Sequence, residues 1–274
     1  MSDAKQLASQ LRKILPDTSI KCVPTKYAGH AEKLACNLAR IRSKPLIISS
    51  SGDGGYHEVI NGVMQIKDNS AICAVLPAGN ANDHSRTLQE EPLYQAIKKG
   101  KTTRLDLLRI TIETSGKKQI RYAHSYAGLG LTPVVATELN RHTLNAFREA
   151  SLVIKTFFKY RPFKIRRGGK VLKFDSLIFA NINQMAKVLT LSEKNKPDDG
   201  FFEVISFLHG RKHILAKRLL RAATTGLKKP RREQKYSFEV LKKMPMQMDG
   251  EVTKLSANSK VEVASAKRIL LTIV

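Results

Sequence analysis

Apolar and polar positions along the 274-residue chain follow two regimes that change near residue 104. Before that point, amphipathic stretches at 4–14, 30–41, 56–65 and 92–99 alternate with short apolar runs at 19–23, 46–50 and 72–76. Helix-length periodic segments interleaved with strand-length apolar runs predict a parallel sheet covered by helices. Beyond it, short β-type segments dominate, at 107–114, 119–127, 163–167, 176–181, 201–207, 237–241, 246–248, 261–264 and 269–274. Two amphipathic stretches, 134–160 and 213–223, interrupt them. That pattern predicts two packed antiparallel sheets. The expected organisation is an α/β domain over 1–104 followed by a β-sandwich-like domain over 105–274, with no low-complexity linker and no internal repeat.

Two glycine-containing turns sit at strand-to-helix junctions of the first half. Residues 51–62 read SGDGGYHEVING and follow the apolar run at 46–50; residues 76–83 read LPAGNAND and follow the run at 72–76. Gly52, Gly54 and Gly55 carry no Cβ, so backbone N–H groups can approach an anion closely, and a helix N-terminus adds partial positive charge. On neighbouring parallel strands, both turns would face the crevice at the strands' carboxyl ends, where α/β sheets bind ligands. A ligand-free tight turn is the structural alternative for either one.

Composition changes the picture in one respect. A 42% hydrophobic content suits one or two packed cores. Cys22, Cys36 and Cys73 are odd in number and widely spaced with no CxxC, so neither a disulfide framework nor a zinc site is suggested, and three buried thiols are expected. No apolar run reaches the roughly 18 residues of a membrane span, and no signal-peptide core follows Met1, so the expected compartment is cytoplasmic. Charge is the exception: 48 Lys plus Arg against 23 Asp plus Glu leave +25. Residues 155–173, KTFFKYRPFKIRRGGKVLK, hold no acid and interleave four aromatic rings; 211–235 is a second basic run broken only by Glu233. Such runs suit an anionic membrane surface, a nucleic-acid backbone, or simply a solvated face. Exposed sheet edges leave a homodimer open.

In its glycine turns the chain resembles the diacylglycerol kinase catalytic-domain family, which includes diacylglycerol, sphingosine and bacterial lipid kinases. SGDGGYHEVING is similar to the signature GGDGTxNEVxNG, and LPAGNAND to LPxGTxND. Four more matches follow in family order: Arg104-Leu-Asp106-Leu, SYAGLG at 125–130, DDGFFEV at 198–204, and Asp249-Gly-Glu251. The resemblance implies a Rossmann-like three-layer N-terminal domain and a β-rich lipid-substrate domain. It implies an ATP- and Mg²⁺-dependent lipid kinase that moves the γ-phosphoryl group to the hydroxyl of a membrane lipid, peripherally attached to an anionic membrane and acting in lipid metabolism. NAD kinase, which shares the GGDG loop, is the related-enzyme alternative; a basic nucleic-acid-binding protein on a decayed kinase fold is the non-enzyme one.

Site residues follow from the same resemblance. Thr25, Gly52, Asp53, Gly54, Gly55, Tyr56, His57, Glu58 and Asn80 would contact the nucleotide. Asp53 would meet the nucleotide-bound Mg²⁺ or act as base, with an Asx turn as its structural alternative. Glu251 matches the proposed proton acceptor of bacterial diacylglycerol kinases, although Asp-Gly is also ordinary hairpin chemistry. Asp199, with the carbonyls of Lys196 and Phe201, matches a structural Mg²⁺ site, against a plain solvated turn. His57 and His84 read as polar loop residues, and His124 has no evident partner.

The chain departs from the family in four places. Gly55 and Asn80 stand where the family has threonines, removing two hydroxyl donors to phosphate. Thr132 stands where sphingosine kinases carry an acceptor-gripping aspartate, which favours a glycerolipid or isoprenoid alcohol over a sphingoid base. The family opens with a strand and an Asn-Pro-x-Ser-Gly loop, whereas this chain begins at the first helix. The expectation drawn is an upstream translation start, another chain or segment covering the gap, or weakened activity.

Overall fold

The computed structural model describes residues 2–130, 162–185, 189–190, 196–210 and 230–274; the stretches expected at 134–160 and 213–223, and Thr132, lie outside them. The chain divides into two compact units, Met1–Leu105 with Arg268–Val274, and Asp106–Lys267. The sequence boundary at 104/105 did not anticipate the return of the last seven residues to the first unit.

The first unit contains α1 (Ser2–Ile14), α2 (His30–Ile41), β1 (Leu46–Ser51), α3 (Asp53–Val63), β2 (Ile72–Pro77), α4 (Asp83–Leu88) and α5 (Leu93–Lys99). Strands β1 and β2 pair in parallel from Leu46↔Ile72 to Ser51↔Pro77. Alternation along each strand then assigns the faces. Leu46, Ile48, Ile72, Ala74 and Leu76 pack with α1 and α5 through Leu7, Leu11, Leu93 and Ile97. Ile47, Cys73 and Val75 are buried on the opposite side, where α3 lies along β1. Gly62 lets α3 meet α2: a Cβ there would stand 2.9 Å from the Ala35 Cβ and 3.0 Å from the Cys36 nitrogen. Helix, sheet and helix form three layers, as the alternating pattern predicted.

Residues 19–23 do not form the expected strand. Among the described residues, β1 is paired along one edge, by β2, and the other edge carries no ladder. A strand exists through its pairing, and without it Val23 is 56% exposed. Cys22 is likewise exposed, which corrects the expectation of three buried thiols; Cys36 and Cys73 are buried.

The second unit begins within β3 (Thr103–Thr114) and continues through β4 (Lys117–Ala123), β5 (Tyr126–Gly130), β6 (Phe163–Arg167), β7 (Lys170–Ala180), the short pair β8 (Gln184–Met185) and β9 (Leu189–Thr190), β10 (Phe202–Leu208), β11 (Arg231–Glu233), β12 (Lys235–Val240), β13 (Met244–Met248), β14 (Glu251–Leu255) and β15 (Lys260–Thr272). Strand β7 is the branch point. It carries β10 along one edge; along the other, Lys170 to Phe174 pair with β6 and Ser176 to Ala180 pair with β5. From that fork one set of strands continues through β6 and β12 to β15, the other through β5 and β13 to β14. Both sets close on one apolar core that includes Leu108, Leu129, Ile165, Phe179, Phe238 and Val263. Phe179 is its centre, edge-on to Phe202 at 6.0 Å and to Tyr236 at 5.2 Å. The expected segments 261–264 and 269–274 merge into β15, whose Thr272 pairs in parallel with Cys73 of β2 in the first unit's sheet. No helix among the described residues is long and apolar enough to cross a membrane.

Candidate phosphate-binding site

The two glycine turns meet in the first unit. Strand β1 ends at Ser51, Gly52 is extended, and α3 starts at Asp53 with the Tyr56 N–H bonding back to the Gly52 carbonyl. On the neighbouring strand the Ala78 N–H donates to the Ser51 carbonyl at 3.0 Å, carrying the parallel pairing one residue into the second turn. The turns touch backbone to backbone. A Cβ on Gly52 would lie 3.0 Å from the Gly79 Cα, and one on Gly79 would overlap Gly52. Glycine is therefore demanded at both positions by contact between the turns, not by dihedral angle.

Side chains lock this arrangement. Asn82, at φ 50°, accepts the Gly79 N–H at 2.9 Å and donates to the Gly79 carbonyl at 2.8 Å, closing the second turn on itself. The Asp53 carboxylate then reaches across: Oδ2 accepts the Asp83 N–H at 3.0 Å and Oδ1 the His84 N–H at 3.1 Å. These are opening N–H groups of α4, which have no intrahelical partner. One carboxylate thus begins α3 and caps α4. A carboxylate is a hard oxygen donor of the kind a divalent cation takes.

Glu58 performs a similar task one turn further along α3. Its oxygens accept the N–H groups of Gly29 at 2.6 Å and Ala31 at 3.1 Å, which ties the start of α2, and the exposed loop holding Thr25, to the helix behind the first glycine turn. Helix α2 runs into β1, so its N-terminus lies at the carboxyl end of that strand. Thr25, four residues before Gly29, and Asn80, in the second turn, are both exposed.

Two residues expected to contact the nucleotide point inward. Tyr56 is fully buried, with its hydroxyl 3.1 Å from the Thr272 Oγ1, and burial pushes its pKa well above the ordinary value. His57 is buried in α3, and His84 is buried with its ring 5.0 Å from Tyr56, so neither is the polar loop residue the sequence predicted. Beneath them burial pushes the Cys73 thiol up to about 12. At neutral pH the Tyr56 phenol and the Cys73 thiol are uncharged packing groups.

Gly55 explains one departure from the family signature. A Cβ at this position would stand 2.5 Å from the Ser51 Oγ. Ser51 and a threonine at 55 compete for the same space, and this chain places its hydroxyl on Ser51, 2.7 Å from the Ser49 hydroxyl.

The remaining candidates lie in the second unit. Asp249 and Gly250 have φ of 48° and 97°, the both-positive signature of a tight two-residue turn, and Met248 pairs with Glu251 across it. Glu251 is exposed. Asp249, whose role sequence reasoning missed, is completely buried, and its carboxylate accepts the N–H groups of His124 at 2.8 Å, Ser125 at 2.9 Å and Tyr126 at 3.1 Å. His124 has partners after all: Nε2 lies 3.5 Å from Asp249 and Nδ1 2.7 Å from the Ser125 Oγ. This network breaks the strand expected over 119–127 into β4 and β5, because N–H groups there bond a side chain instead of a ladder.

Asp106, from the Arg-Leu-Asp-Leu match, is buried and accepts the Gly200 N–H at 2.6 Å, while its own N–H donates to the Pro197 carbonyl at 2.7 Å. It holds the Asp198-Asp-Gly loop from inside. At the outer side of that loop, Asp199 accepts the Phe201 N–H at 3.0 Å through Oδ1 and pairs with Arg232 through Oδ2. The described residues contain no group of three or more His, Cys, Asp or Glu that could hold a metal ion.

The first unit is thus an α/β unit whose two glycine turns touch at the carboxyl ends of parallel strands, bridged by the Asp53 carboxylate, and the second unit is β-rich. Residues 1–110 match the family model of the diacylglycerol kinase catalytic domain. It is 36% identical over 117 residues to the putative lipid kinase YtlR of Bacillus subtilis, a match covering 40% of this chain and 37% of that protein. It is 28% identical over 215 residues to a diacylglycerol kinase of Staphylococcus aureus, covering 72% of this chain and 65% of that protein. These matches span about one third to two thirds of the relatives' lengths. In fold, the chain is similar to a putative diacylglycerol kinase from Bacillus anthracis, with a TM-score of 0.74 at 18% identity, over 99% of this chain and 91% of that one.

Proposed function

We propose that the protein is an ATP-dependent kinase that transfers the γ-phosphoryl group to the hydroxyl of a membrane lipid, diacylglycerol-like or a long-chain alcohol. The observation that carries this reading is the direct contact of the Gly52 and Gly79 turns, sealed by Asp53. A glycine turn that opens α3 favours a polyphosphate, because N–H groups at a helix start can donate to phosphate charge directly. Similarity to the Staphylococcus aureus diacylglycerol kinase supports the acceptor class.

In this reading the Gly52–Gly55 amides orient the phosphates, and the Asn80 amide and Ser51 hydroxyl stand in for the two absent threonines. Asp53 is the carboxylate that would hold a nucleotide-bound Mg²⁺, whose chemistry is to offset phosphate charge. Proton acceptance from the lipid hydroxyl falls to Glu251 or to Asp53. Lys164, Arg166, Lys170 and Lys173, all exposed on the β6–β7 hairpin, support attachment to an anionic membrane face.

Transfer of label from γ-labelled ATP to diacylglycerol or a long-chain alcohol in mixed micelles tests the reaction. Asp53→Ala should reduce that transfer by about 100-fold or more. Wild-type protein that neither transfers label nor gains thermal stability from ATP refutes the assignment.

A further inference from the structure

The family resemblance assigns a structural Mg²⁺ to Asp199 with the carbonyls of Lys196 and Phe201. We infer that this chain fixes the 196–201 loop without a divalent ion, and that the Arg232 guanidinium provides the positive charge Asp199 needs.

Both Asp199 oxygens are engaged. Oδ1 accepts the Phe201 N–H at 3.0 Å, and Oδ2 is paired with an Arg232 terminal nitrogen. Arg232 is oriented from a second direction, because its guanidinium carbon lies 4.8 Å from the centroid of the Phe201 ring, a cation–π geometry. Its backbone is placed as well: β11 pairs with β10 through Phe202↔Glu233 and Glu203↔Arg232, which sets Arg232 beside the end of the loop. A second cation lies close. The Lys267 ammonium would stand 3.1 Å from a Cβ built on Gly200.

These contacts leave an ion little to do. The loop's interior side is already pinned by Asp106, through the Gly200 N–H and the Pro197 carbonyl. A planar guanidinium is matched to a carboxylate in shape and stays charged at every physiological pH. Magnesium demands near-octahedral oxygen ligation at short distances and gives up its waters reluctantly. To bind Asp199 it would have to displace Arg232 and approach against Lys267 as well. The positive charge that the resemblance would draw from a bound ion is here encoded in the chain.

The inference does not depend on the kinase reading, and nucleotide-free protein separates the two. Thermal unfolding of the full chain is followed in EDTA and in millimolar MgCl₂, with no nucleotide present. The wild-type midpoint should agree between the two within about 1 °C. Arg232→Gln should lower the midpoint by about 2–4 °C and create a response to Mg²⁺, since Asp199 then lacks a cation; adding Asp199→Asn should abolish that response. A wild-type midpoint that falls in EDTA and is restored by Mg²⁺, with Asp199→Asn insensitive, overturns the inference. So does an Arg232→Gln protein with unchanged stability and no response to Mg²⁺. If Arg232→Gln does not fold, the wild-type and Asp199→Asn comparison still decides.

Discussion

In the first unit Asp53 and Glu58 each accept two backbone N–H groups on a rim that stays partly exposed. In the second, Asp249 accepts three in a fully buried position. The device is the same, a short charged acceptor collecting main-chain donors that secondary structure leaves over, and the surroundings separate the outcomes. On the rim, water already solvates part of each group, so the carboxylate organises loops at a lower desolvation cost. In the core there is no water to replace the lost bonds, so the carboxylate becomes a structural requirement. Two turns with similar Asp-Gly wording therefore have different vulnerabilities.

Removing the acceptor from the buried hub should do the most damage. Asp249→Ala strands three donors beside His124, and we expect a loss of about 3–5 kcal/mol, read as a large drop in the denaturant midpoint. A loss below that of an ordinary surface substitution would erase the contrast. Two residues along the hairpin, Glu251→Gln should behave oppositely. It should lower lipid phosphorylation by about 100-fold while changing stability by no more than about 0.5 kcal/mol, because the side chain is exposed. Unchanged turnover would move the proton acceptor elsewhere, with Asp53 next in line.

The layer beneath the rim sharpens the comparison through pH. The Cys73 thiol is pushed up to about 12 from 9.0 by burial, so the folded chain keeps a proton that the unfolded chain releases above about 9. Stability should be fully present below pH 9 and fall between about 9 and 12, by about 1.4 kcal/mol per pH unit. Tyr56, raised by the same burial, should steepen the loss above about pH 10. Midpoints measured from pH 8 upward should flatten in Cys73→Ala, and an unaltered slope would assign the alkaline loss to other groups. The smallest expected effect is the most specific. Gly55→Thr alone should fail, since its Cβ meets Ser51, whereas Ser51→Gly with Gly55→Thr should recover most of the ATP affinity, seen as KM for ATP returning to within about threefold of wild type. Equal KM values for the single and double variants would show that the two positions are not coupled.

Periodicity revealed much of this molecule. The alternation of helix-length and strand-length segments before residue 104 predicted the three layers, because a strand's two faces and a helix's one stripe are written directly into side-chain spacing. Failures came where backbone groups bond something distant. Residues 119–127 look like one strand, yet Asp249, more than a hundred residues away, takes the N–H groups at 124–126. Residues 19–23 look like a strand and have no ladder beside them among the described residues. At the site, the glycines and Asp53 were legible as types, whereas the inward turn of Tyr56 and His57 was not, since the residues after a phosphate turn belong to a helix whose buried face is fixed by the sheet beneath.

The sequence by itself determined that two glycine turns each follow a strand-length apolar run and that the chain carries a strong excess of basic residues, because spacing and charge are local properties that need no partner. Only the tertiary structure decided that Gly52 and Gly79 touch, that Asp53 caps a helix thirty residues away, that Asp249 is buried while Glu251 is exposed, and that Arg232 reaches Asp199. Each of these is a meeting of residues distant in the chain, and such meetings are fixed by how whole layers pack, which no local pattern records.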